Sequence, residues 1–221
     1  MITRAVPKPR TQSFEGSLEF KWLNIDYDFQ TLIDIGCNNG EFGSFLRGYL
    51  DIAHVLAFEP LERHGAHLES MGFDLFPVAL GDRNGSTSFT VNKHDASSSI
   101  LPMSDLMRSQ FPELQETTPI EVEIRKLDDV LRDRDIGDDV LIKIDAQGVE
   151  DAIIRGGYET FSRAKAVIIE MSFVPMYEDQ ALFNEVHSLL ADCGHKFSGI
   201  KNQICSVRER RPLFAHCVYQ R

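Results

Sequence analysis

The chain has 221 residues, and its 23 Lys and Arg against 34 Asp and Glu give a net charge of −11. This charge repels nucleic acid and anionic membrane surfaces, so we expect neither as a partner. The length and the 43% hydrophobic content suit one domain with a full core. No apolar run is long enough to cross a bilayer, and residues 1–16 lack the apolar core of a signal peptide, so a cytoplasmic location is expected.

Four cysteines are spread along the chain without a C-x-x-C pair: Cys37, Cys193, Cys205 and Cys217. This spacing indicates neither a zinc knuckle nor a disulfide framework, and reduced thiols are expected. Cys37 lies next to a glycine in a turn, where a small side chain that fills the turn is a simpler explanation than a nucleophile.

Residues 31–60 carry the most informative pattern in the chain. A short apolar run contains Asp34, turns through Gly36 and Gly40 into an amphipathic segment, and is followed by a second apolar run that ends at Glu59. This order is typical of a β-α-β unit with a nucleotide-shaped hole at the carboxyl edge of its strands. Gly36 permits the tight turn, Gly40 lets a ligand approach the helix start, and Glu59 can accept hydrogen bonds from two ribose hydroxyls.

The glycine spacing decides between two ligand classes. Asn38 stands where a dinucleotide-binding fingerprint requires glycine, which disfavours a pyrophosphate ligand. S-adenosylmethionine has a ribose and an adenine but no phosphate, and Asp34 and nearby carboxylates can balance its positive charges. We therefore predict S-adenosylmethionine as the cofactor. The alternative is that the glycines merely separate a strand from a helix and that Glu59 is a solvated loop acid.

Strand-like and helix-like segments alternate along most of the chain. We predict a Rossmann-like α/β fold with a mostly parallel sheet, helices on both faces and a C-terminal antiparallel hairpin, in one domain over residues 26–221 preceded by an arm at 1–25. The predicted strands are 31–35, 54–58, 74–78, 140–144 and 166–169, the predicted helices are 41–49, 62–71, 148–154 and 181–191, and the hairpin strands are 195–200 and 213–219.

One insertion, at about residues 85–126, interrupts this alternation. Two strand-like arms, STSFTVN and IEVEIRKL, enclose about two dozen residues that we expect to be irregular. A long irregular segment of this kind is more typical of a lid or a binding loop than of a simple connection, so we expect it to cover the acceptor side of the site. The alternative is a surface loop without a role.

The motifs DIGCNNGEF, FEP, ALGDRNGS, SSSI, RKLDDVL and KIDAQGVE, in this order, resemble the FkbM-type family of S-adenosylmethionine-dependent methyltransferases. The resemblance runs from about Thr31 to Glu170 and implies methylation of a hydroxyl oxygen on a sugar or other small metabolite. Carried over position by position, the resemblance implies a cofactor loop with Asp34, Gly36 and Gly40, and a ribose-binding acid at Glu59. It also implies that Ala79 and Leu80 lie beside the adenine, with Asp82 close behind them. The predicted cofactor residues are Asp34, Gly36, Cys37, Asn38, Gly40, Glu59, Pro60, Ala79, Leu80 and Asp145.

A second site of interest is LIKIDAQGVE, where an apolar strand ends at Asp145 and Glu150 follows within a predicted helix. A strand-end acid at the carboxyl edge points into the same crevice as the cofactor loop. An acceptor alcohol must lose a proton, and the predicted catalytic residues that could take it are Asp145, Glu170 and His94, with Glu150 as a further candidate. Asp145 could instead be a helix cap, and His94 could be a solvated loop residue.

The sequence assigns no metal, because Asp145 and Glu170 could supply hard oxygen ligands but two acids do not define a site. Two other functions stay open at this point. One is an NAD-dependent oxidoreductase, which the glycine pattern and the closing hairpin disfavour. The other is a non-catalytic binding module with a Rossmann-like fold. No pattern in the sequence specifies an oligomeric state.

Overall fold

A computed structural model describes residues 28–114, 117–208 and 210–221 of the chain. The arm predicted at residues 1–25 lies outside this range. The strands, in chain order, are β1 (Thr31–Ile35), β2 (His54–Phe58), β3 (Asp74–Phe76), β4 (Ala79–Leu80), β5 (Gly85–Asn92), β6 (Thr117–Arg125), β7 (Val140–Ile144), β8 (Ala166–Ser172), β9 (Lys196–Ser206) and β10 (Arg211–Gln220). The helices are α1 (Glu41–Leu50), α2 (Gly65–Ser70), α3 (Asp105–Gln110), α4 (Leu127–Leu131), α5 (Glu150–Gly156), α6 (Tyr158–Arg163) and α7 (Phe183–Asp192).

Seven strands form the central sheet, in the order β3-β2-β1-β7-β8-β10-β9. The strands from β3 to β8 in this order are parallel, and β10 is antiparallel to both of its neighbours. The chain moves outward from β1 in one direction through β2 and β3 and later returns to add β7 on the other side. The gap between the carboxyl ends of β1 and β7 is therefore the topological switch point, where open α/β sheets bind their ligands. The predicted Rossmann-like fold is confirmed.

The two faces of the sheet bury separate halves of the core, because successive strand residues point to opposite sides. Ile33 and Ile142 belong to the apolar cluster that contains residues of α4 to α7, whereas Leu32 and Leu141 belong to the cluster with residues of α1 and α2. The inner strands β1 and β7 are buried along their whole length. This two-sided burial explains why both sequences are almost continuously apolar.

The insertion is more regular than we expected. Strands β5 and β6 form an antiparallel pair that, together with β4, makes a second sheet. The connection between them contains α3 and two short 3-10 turns, Asp95–Ser97 and Pro112–Leu114. Ser104 caps α3 by accepting a hydrogen bond from the Met107 amide, and the Met107 side chain is buried. The expectation of an irregular segment is therefore wrong, because helices this short give little periodic signal.

Several predicted boundaries also change. The helix expected at 62–71 divides into a 3-10 turn, Glu62–His64, and α2. Helix α5 begins two residues later than expected, since Gly148 has a φ of +108° that a helix does not allow. The hairpin strands are longer than expected because pairing continues to Ser206 and Arg211. None of the helices in the described ranges is long and apolar enough to span a membrane.

Candidate active site

The predicted cofactor loop follows β1 at the switch point. Gly36 has a φ of +66°, and a Cβ atom at this position would lie 2.0 Å from the carbonyl oxygen of Asp145. A side chain therefore cannot be accommodated without moving the backbone of the neighbouring strand end. The Gly36 amide donates a hydrogen bond to the carbonyl oxygen of Phe58 at 3.0 Å, which ties the loop to the end of β2.

A buried ion pair lies beneath this loop. Asp34 and Lys143 are register partners on β1 and β7, and Lys143 Nζ lies 3.3 Å from Asp34 Oδ1. Burial raises the pKa of Asp34, while the charge of Lys143 opposes that rise. Burial by itself would lower the pKa of Lys143, but the negative charges of Asp34 and Asp145 outweigh it and the pKa is raised. Lys143 also donates to the carbonyl oxygen of Gly36 at 2.9 Å, so the pair supports the loop from below.

Glu59, the predicted ribose-binding acid, is buried at the end of β2. Its Oε2 accepts a hydrogen bond from the Asn38 amide at 2.8 Å, and its Oε1 accepts one from the Leu61 amide at 2.9 Å. Burial raises the pKa of Glu59, and these two hydrogen bonds counteract part of that rise. Each carboxylate oxygen has a second lone pair, so Glu59 can hold the two loops and still accept hydroxyl hydrogen bonds.

A cavity opens at the carboxyl ends of these strands, and we call it the cofactor cavity. Its lining includes seven of the predicted cofactor residues, Gly36, Asn38, Glu59, Pro60, Ala79, Leu80 and Asp145. The other three lie behind the cavity wall. Asp34 is in the ion pair, Cys37 packs in the apolar core, and Gly40 begins α1. Burial raises the pKa of the Cys37 thiol, which agrees with a packing role. Asp82 lies outside the lining, 3.9 Å from Arg155.

The chemistry of the lining fits S-adenosylmethionine. Glu59 offers acceptors for ribose hydroxyls, Asp145 offers negative charge, and apolar side chains suited to a flat base complete the wall: Phe58, Val78, Leu80, Phe89, Ile100 and Ile153. The cavity volume is about 60 Å³, whereas ligand pockets usually have about 300 Å³ or more. The enclosed part of the cavity is therefore smaller than a typical ligand pocket. Ser98 and Ile100 of the insertion form part of the narrow wall.

The turn after β7 carries the second set of functional residues. Gln147 has a φ of +55°, a rare conformation for a residue with a side chain. The Glu150 carboxylate holds this turn, because Oε1 accepts hydrogen bonds from the amides of Ala146 at 3.0 Å and Gly148 at 3.2 Å. Burial raises the pKa of Glu150 to about 7. Glu150 is thus an anchor for the backbone of the turn, and Asp145, in the same turn, lines the cofactor cavity.

A second cavity, which we call the acceptor cavity, adjoins the first and has a volume of about 450 Å³. Asp145, Gln147 and Ala96 line both cavities. The other predicted catalytic residues, Glu170 and His94, also line the acceptor cavity. The structure therefore brings all three predicted catalytic residues to the acceptor cavity, which adjoins the cofactor cavity.

Asp145 and Glu170 lie close together at the floor of the acceptor cavity. Gln147 Nε2 donates to Asp145 Oδ1 at 2.5 Å and lies 3.4 Å from Glu170 Oε1. Burial raises the pKa of Glu170 well above its usual range, and the negative charges of Asp145 and Glu150 raise it further. His216 adds an imidazole, and its Nε2 lies 3.9 Å from Glu170 Oε2. The ligand atoms of Asp145, Glu170 and His216 all lie within 4.8 Å of one another, so this set could hold a metal ion.

Tyr177 connects this floor to the insertion. Its hydroxyl lies 2.7 Å from Gln147 Oε1 and 3.1 Å from the carbonyl oxygen of Ser97, both of which are acceptors. The Ser99 hydroxyl donates to the carbonyl oxygen of Gln147 at 2.6 Å. The serine run of the insertion is therefore held against the turn that carries Asp145.

A second connection joins the insertion to the other side of the cofactor cavity. The Asp95 carboxylate accepts a hydrogen bond from Arg63 and lies 3.1 Å from His64 Nε2. Asp95 also lines the cofactor cavity. The insertion is thus tied on both sides of the opening, through Asp95 to the segment after β2 and through Ser97 and Ser99 to the turn after β7.

Four residues of the site were not predicted: Lys143, Gln147, Tyr177 and His216. A single lysine within the otherwise apolar run VLIKI was a readable signal, since a buried charge needs a partner. Tyr177 and His216 gave no such signal, because their contacts depend on strand register and on chain segments tens of residues away.

Comparison with known proteins agrees with this geometry. The Methyltransferase FkbM domain matches residues 34–197. The chain is also 33% identical over 173 residues to the 2-O-methyltransferase NoeI of Sinorhizobium fredii, an alignment that covers 72% of this chain and 70% of that protein. These matches confirm the predicted methyltransferase, support transfer to oxygen and give no support to the oxidoreductase alternative.

Solved structures with a similar fold have low sequence identity to the chain. Magnesium protoporphyrin IX methyltransferase from Synechocystis PCC 6803, solved with bound SAM, is 12% identical with a TM-score of 0.48, and the alignment covers 93% of this chain and 76% of that one. Precorrin-6y C5,15-methyltransferase from Geobacter metallireducens is 10% identical with a TM-score of 0.48, covering 93% and 86%. On the domain match and the curated relative, the chain belongs to the FkbM family of S-adenosylmethionine-dependent methyltransferases.

Proposed function

We propose that the chain transfers a methyl group from S-adenosylmethionine to a hydroxyl oxygen of a small molecule, such as a sugar or a secondary metabolite. The observation that carries this proposal is the wall shared by the two cavities. Asp145 and Gln147 line both of them, so a cofactor in one and an acceptor in the other would meet at these residues. The relative described as a 2-O-methyltransferase supports oxygen as the acceptor atom.

The lining of the acceptor cavity supports a small acceptor with both polar and apolar faces. Hydrogen-bonding side chains lie among apolar ones: Ser172, Tyr177, Gln180, Glu170 and His94 face the same space as Met107, Phe111, Leu114, Met176 and Phe214. A volume of about 450 Å³ is in the range of small-molecule pockets. A hydroxylated ring such as a sugar combines hydroxyl groups at its edge with apolar C–H faces, which matches this mixture.

Methyl transfer requires alignment more than covalent catalysis by the protein. When bound, S-adenosylmethionine supplies an electrophilic methyl group on a sulfonium sulfur. Asp145 would accept a hydrogen bond from the acceptor hydroxyl and then take its proton. Glu59 and the other lining residues of the cofactor cavity would hold S-adenosylmethionine, which would supply its methyl carbon to the freed oxygen lone pair and keep the electron pair of the broken C–S bond on sulfur. Gln147 fixes the Asp145 carboxylate through the bond at 2.5 Å.

The other predicted catalytic residues have supporting roles in this proposal. Glu170 lies beside Asp145, with its Oε1 3.4 Å from Gln147 Nε2, and can bind a second hydroxyl of the acceptor. His94 lines the opposite, insertion side of the acceptor cavity. Helix α3 and the two 3-10 turns of the insertion contribute further wall residues, which supports the role of residues 85–126 as a cover over the acceptor.

Three broader expectations remain part of the proposal. One domain over residues 26–221 carries the activity, and the chain acts in the cytoplasm without a nucleic-acid partner. The unpaired cysteines support a reducing location, since Cys37, Cys193, Cys205 and Cys217 are all free thiols. The net charge of −11 supports the absence of a nucleic-acid partner.

The experiment is a screen with S-adenosylmethionine that carries an isotopically labelled methyl group. The purified protein is incubated with fractions of a metabolite extract and with a panel of sugars and other hydroxylated small molecules. Mass spectrometry identifies the molecule that gains the label, and NMR identifies the atom that carries it. We expect a methyl ether.

Two controls define the result. A reaction without protein measures spontaneous transfer, and the variant Asp145→Asn measures transfer without the proposed base. A label attached to nitrogen or carbon, or label transfer at equal rates with and without protein, contradicts the proposal.

A further inference from the structure

Three potential metal ligands lie in one row beside the acceptor cavity, of which Asp145 and Glu170 line the cavity and His216 lies next to Glu170 outside the lining. Glu170 on β8 and His216 on β10 are direct register partners, and Ile144 of β7 pairs with Ile169 of β8. Asp145, the next residue after Ile144, therefore lies beside Glu170. Three neighbouring strands thus place two carboxylates and an imidazole at the same edge of the sheet, with their ligand atoms within 4.8 Å of one another.

The spacing of His216 and Glu170 is too wide for a hydrogen bond and suits an ion between them. His216 Nε2 and Glu170 Oε2 lie 3.9 Å apart, whereas a hydrogen bond requires about 3.2 Å or less. Two ligands of one divalent cation, each at about 2.0 to 2.6 Å from it, are about 2.8 to 5.2 Å apart, depending on the angle between them. The observed separations of 3.9 Å and up to 4.8 Å fall in this range.

The charges around the floor also favour a cation. Asp145, Glu150 and Glu170 are three acidic groups in one buried region. Lys143 is the basic group near them, but it is 3.3 Å from Asp34 and 2.9 Å from the carbonyl oxygen of Gly36, so its charge is already balanced.

We infer that Asp145, Glu170 and His216 bind one divalent cation, of the Mn²⁺ type, at the side of the acceptor cavity that Asp145 and Glu170 line. Two carboxylates and one imidazole match the ligand preferences of such an ion. The inference rests on the proposed function in one respect, because it assigns the cation to the acceptor. The open side of the ion would face the acceptor cavity, where hydroxyl oxygens of the acceptor can complete the coordination.

The cation would assist the loss of the proton from the acceptor hydroxyl, and Asp145 would still take that proton. A hydroxyl bound to a divalent cation loses its proton more readily than a free one. Each carboxylate needs to give only one oxygen to the ion, so the second oxygen of Asp145 stays available to take the hydroxyl proton. The sequence alone does not define this site, because two of the ligands are acids at strand ends, whereas the third, His216, joins them only through the pairing of β8 with β10.

The test measures Mn²⁺ binding by electron paramagnetic resonance, in which free Mn²⁺ gives a signal that decreases on binding. The wild-type chain, saturated with S-adenosylhomocysteine, is compared with Glu170→Gln and His216→Asn. His54→Asn and Glu121→Gln are matched controls, because both residues are exposed and lie on other strands. Circular dichroism and urea unfolding verify that every variant is folded.

We expect one Mn²⁺ per chain in the wild type, at least about ten-fold weaker binding in each ligand variant and unchanged binding in the controls. Mg²⁺ should compete for the same site. Absence of a stoichiometric site in the wild type, or equal affinity in all five proteins, overturns the inference. Calorimetry with S-adenosylhomocysteine on the same samples separates the two proposals: a chain that binds the cofactor but no Mn²⁺ contradicts this inference alone.

Discussion

Lys143 and Asp34 form a buried ion pair across β1 and β7, with Nζ and Oδ1 3.3 Å apart. The pair lies directly beneath the cofactor loop, and Lys143 also holds the carbonyl oxygen of Gly36. Among the described residues, no hydrogen bond of good geometry reaches either oxygen of Asp34. The charge of Lys143 is therefore the main compensation for a carboxylate that is fully removed from water.

This pair predicts a large effect from removing one partner. Lys143→Met leaves Asp34 buried without a countercharge, so the free energy of unfolding should fall by about 3 to 5 kcal/mol. The double variant Lys143→Met with Asp34→Asn should recover part of this loss, because the uncompensated charge is gone. Urea unfolding of the wild type, both single variants and the double variant measures the coupling. A loss below about 1 kcal/mol in Lys143→Met contradicts the role of the pair.

The second prediction concerns Glu59 and the cofactor. Glu59→Ala should weaken S-adenosylhomocysteine binding by about 1.5 to 3 kcal/mol, because the acceptors for the ribose hydroxyls are lost. This variant also leaves the amides of Asn38 and Leu61 without their acceptor, so its stability should decrease too. Glu59→Gln keeps one oxygen and most of the shape, and should give a smaller loss of affinity. Calorimetry on folded variants measures both, and unchanged affinity in Glu59→Ala would remove Glu59 from the cofactor site.

The sequence predicted the parts of the site that lie within one local unit, but not the parts that depend on contacts between segments distant in the sequence. Asp34, Gly36 and Glu59 were identified because one β-α-β unit contains them, and the apolar runs of β1, β2 and β7 are so continuous that their bounds were predicted correctly. His216 could not be placed beside Glu170 by any local pattern, since their contact depends on the antiparallel register of β8 and β10.

The insertion illustrates the same limit. Its two strands have an alternating pattern and were predicted, whereas α3 has only six residues, too few for a periodic signal. The contact of Tyr177 with Ser97 spans 80 residues. This contact depends on the packing of Tyr177 and residues of α3 in one apolar cluster. No pattern in the sequence shows that packing.

The third prediction tests whether Tyr177 holds the insertion in place. Tyr177→Phe removes the donor to Gln147 Oε1 and to the carbonyl oxygen of Ser97, at a cost of about 1 to 2 kcal/mol. Amide hydrogen exchange in residues 95–101 should become faster by about ten-fold or more, and the whole segment of about 92–118 should exchange more slowly when cofactor and acceptor bind.

Tyr158→Phe is the matched control for this measurement, because its hydroxyl contacts Asp192 at the surface, 3.3 Å from the carbonyl oxygen. Exchange in residues 95–101 that is equal in the wild type and in Tyr177→Phe would show that the insertion is held by other contacts.

The fourth prediction concerns the pH dependence of stability. Burial raises the pKa of Glu150 from its ordinary value of 4.5 to about 7. Between these values the unfolded chain releases the proton while the folded chain keeps it, so the stability that is present below pH 4.5 is lost as the pH rises to 7. The loss from this residue is about 3 kcal/mol.

Glu150→Gln removes this titration and keeps an oxygen that can accept from the amides of Ala146 and Gly148. Between pH 4.5 and 7.5, the wild type should therefore lose about 3 kcal/mol more unfolding free energy than Glu150→Gln does. The exposed variant Glu121→Gln should show no such shift. Urea unfolding across this pH range measures the difference, and parallel curves for Glu150→Gln and the wild type would exclude a raised pKa.

We propose that methyl transfer takes place at Asp145, on the wall shared by the two cavities. The direct measurement is kcat of Asp145→Asn, with S-adenosylmethionine saturating and the acceptor identified by the labelling screen. Asparagine has nearly the same size but cannot take the hydroxyl proton, so kcat should fall by about 10²-fold or more while S-adenosylhomocysteine affinity changes less. Asp145 is not a cap of α5, since that helix begins at Glu150 with Val149 as its N-cap. If Asp145 only held the turn through Gln147, the asparagine oxygen would accept the same hydrogen bond and kcat would stay within a few-fold of the wild type. Such a kcat would exclude Asp145 as the base.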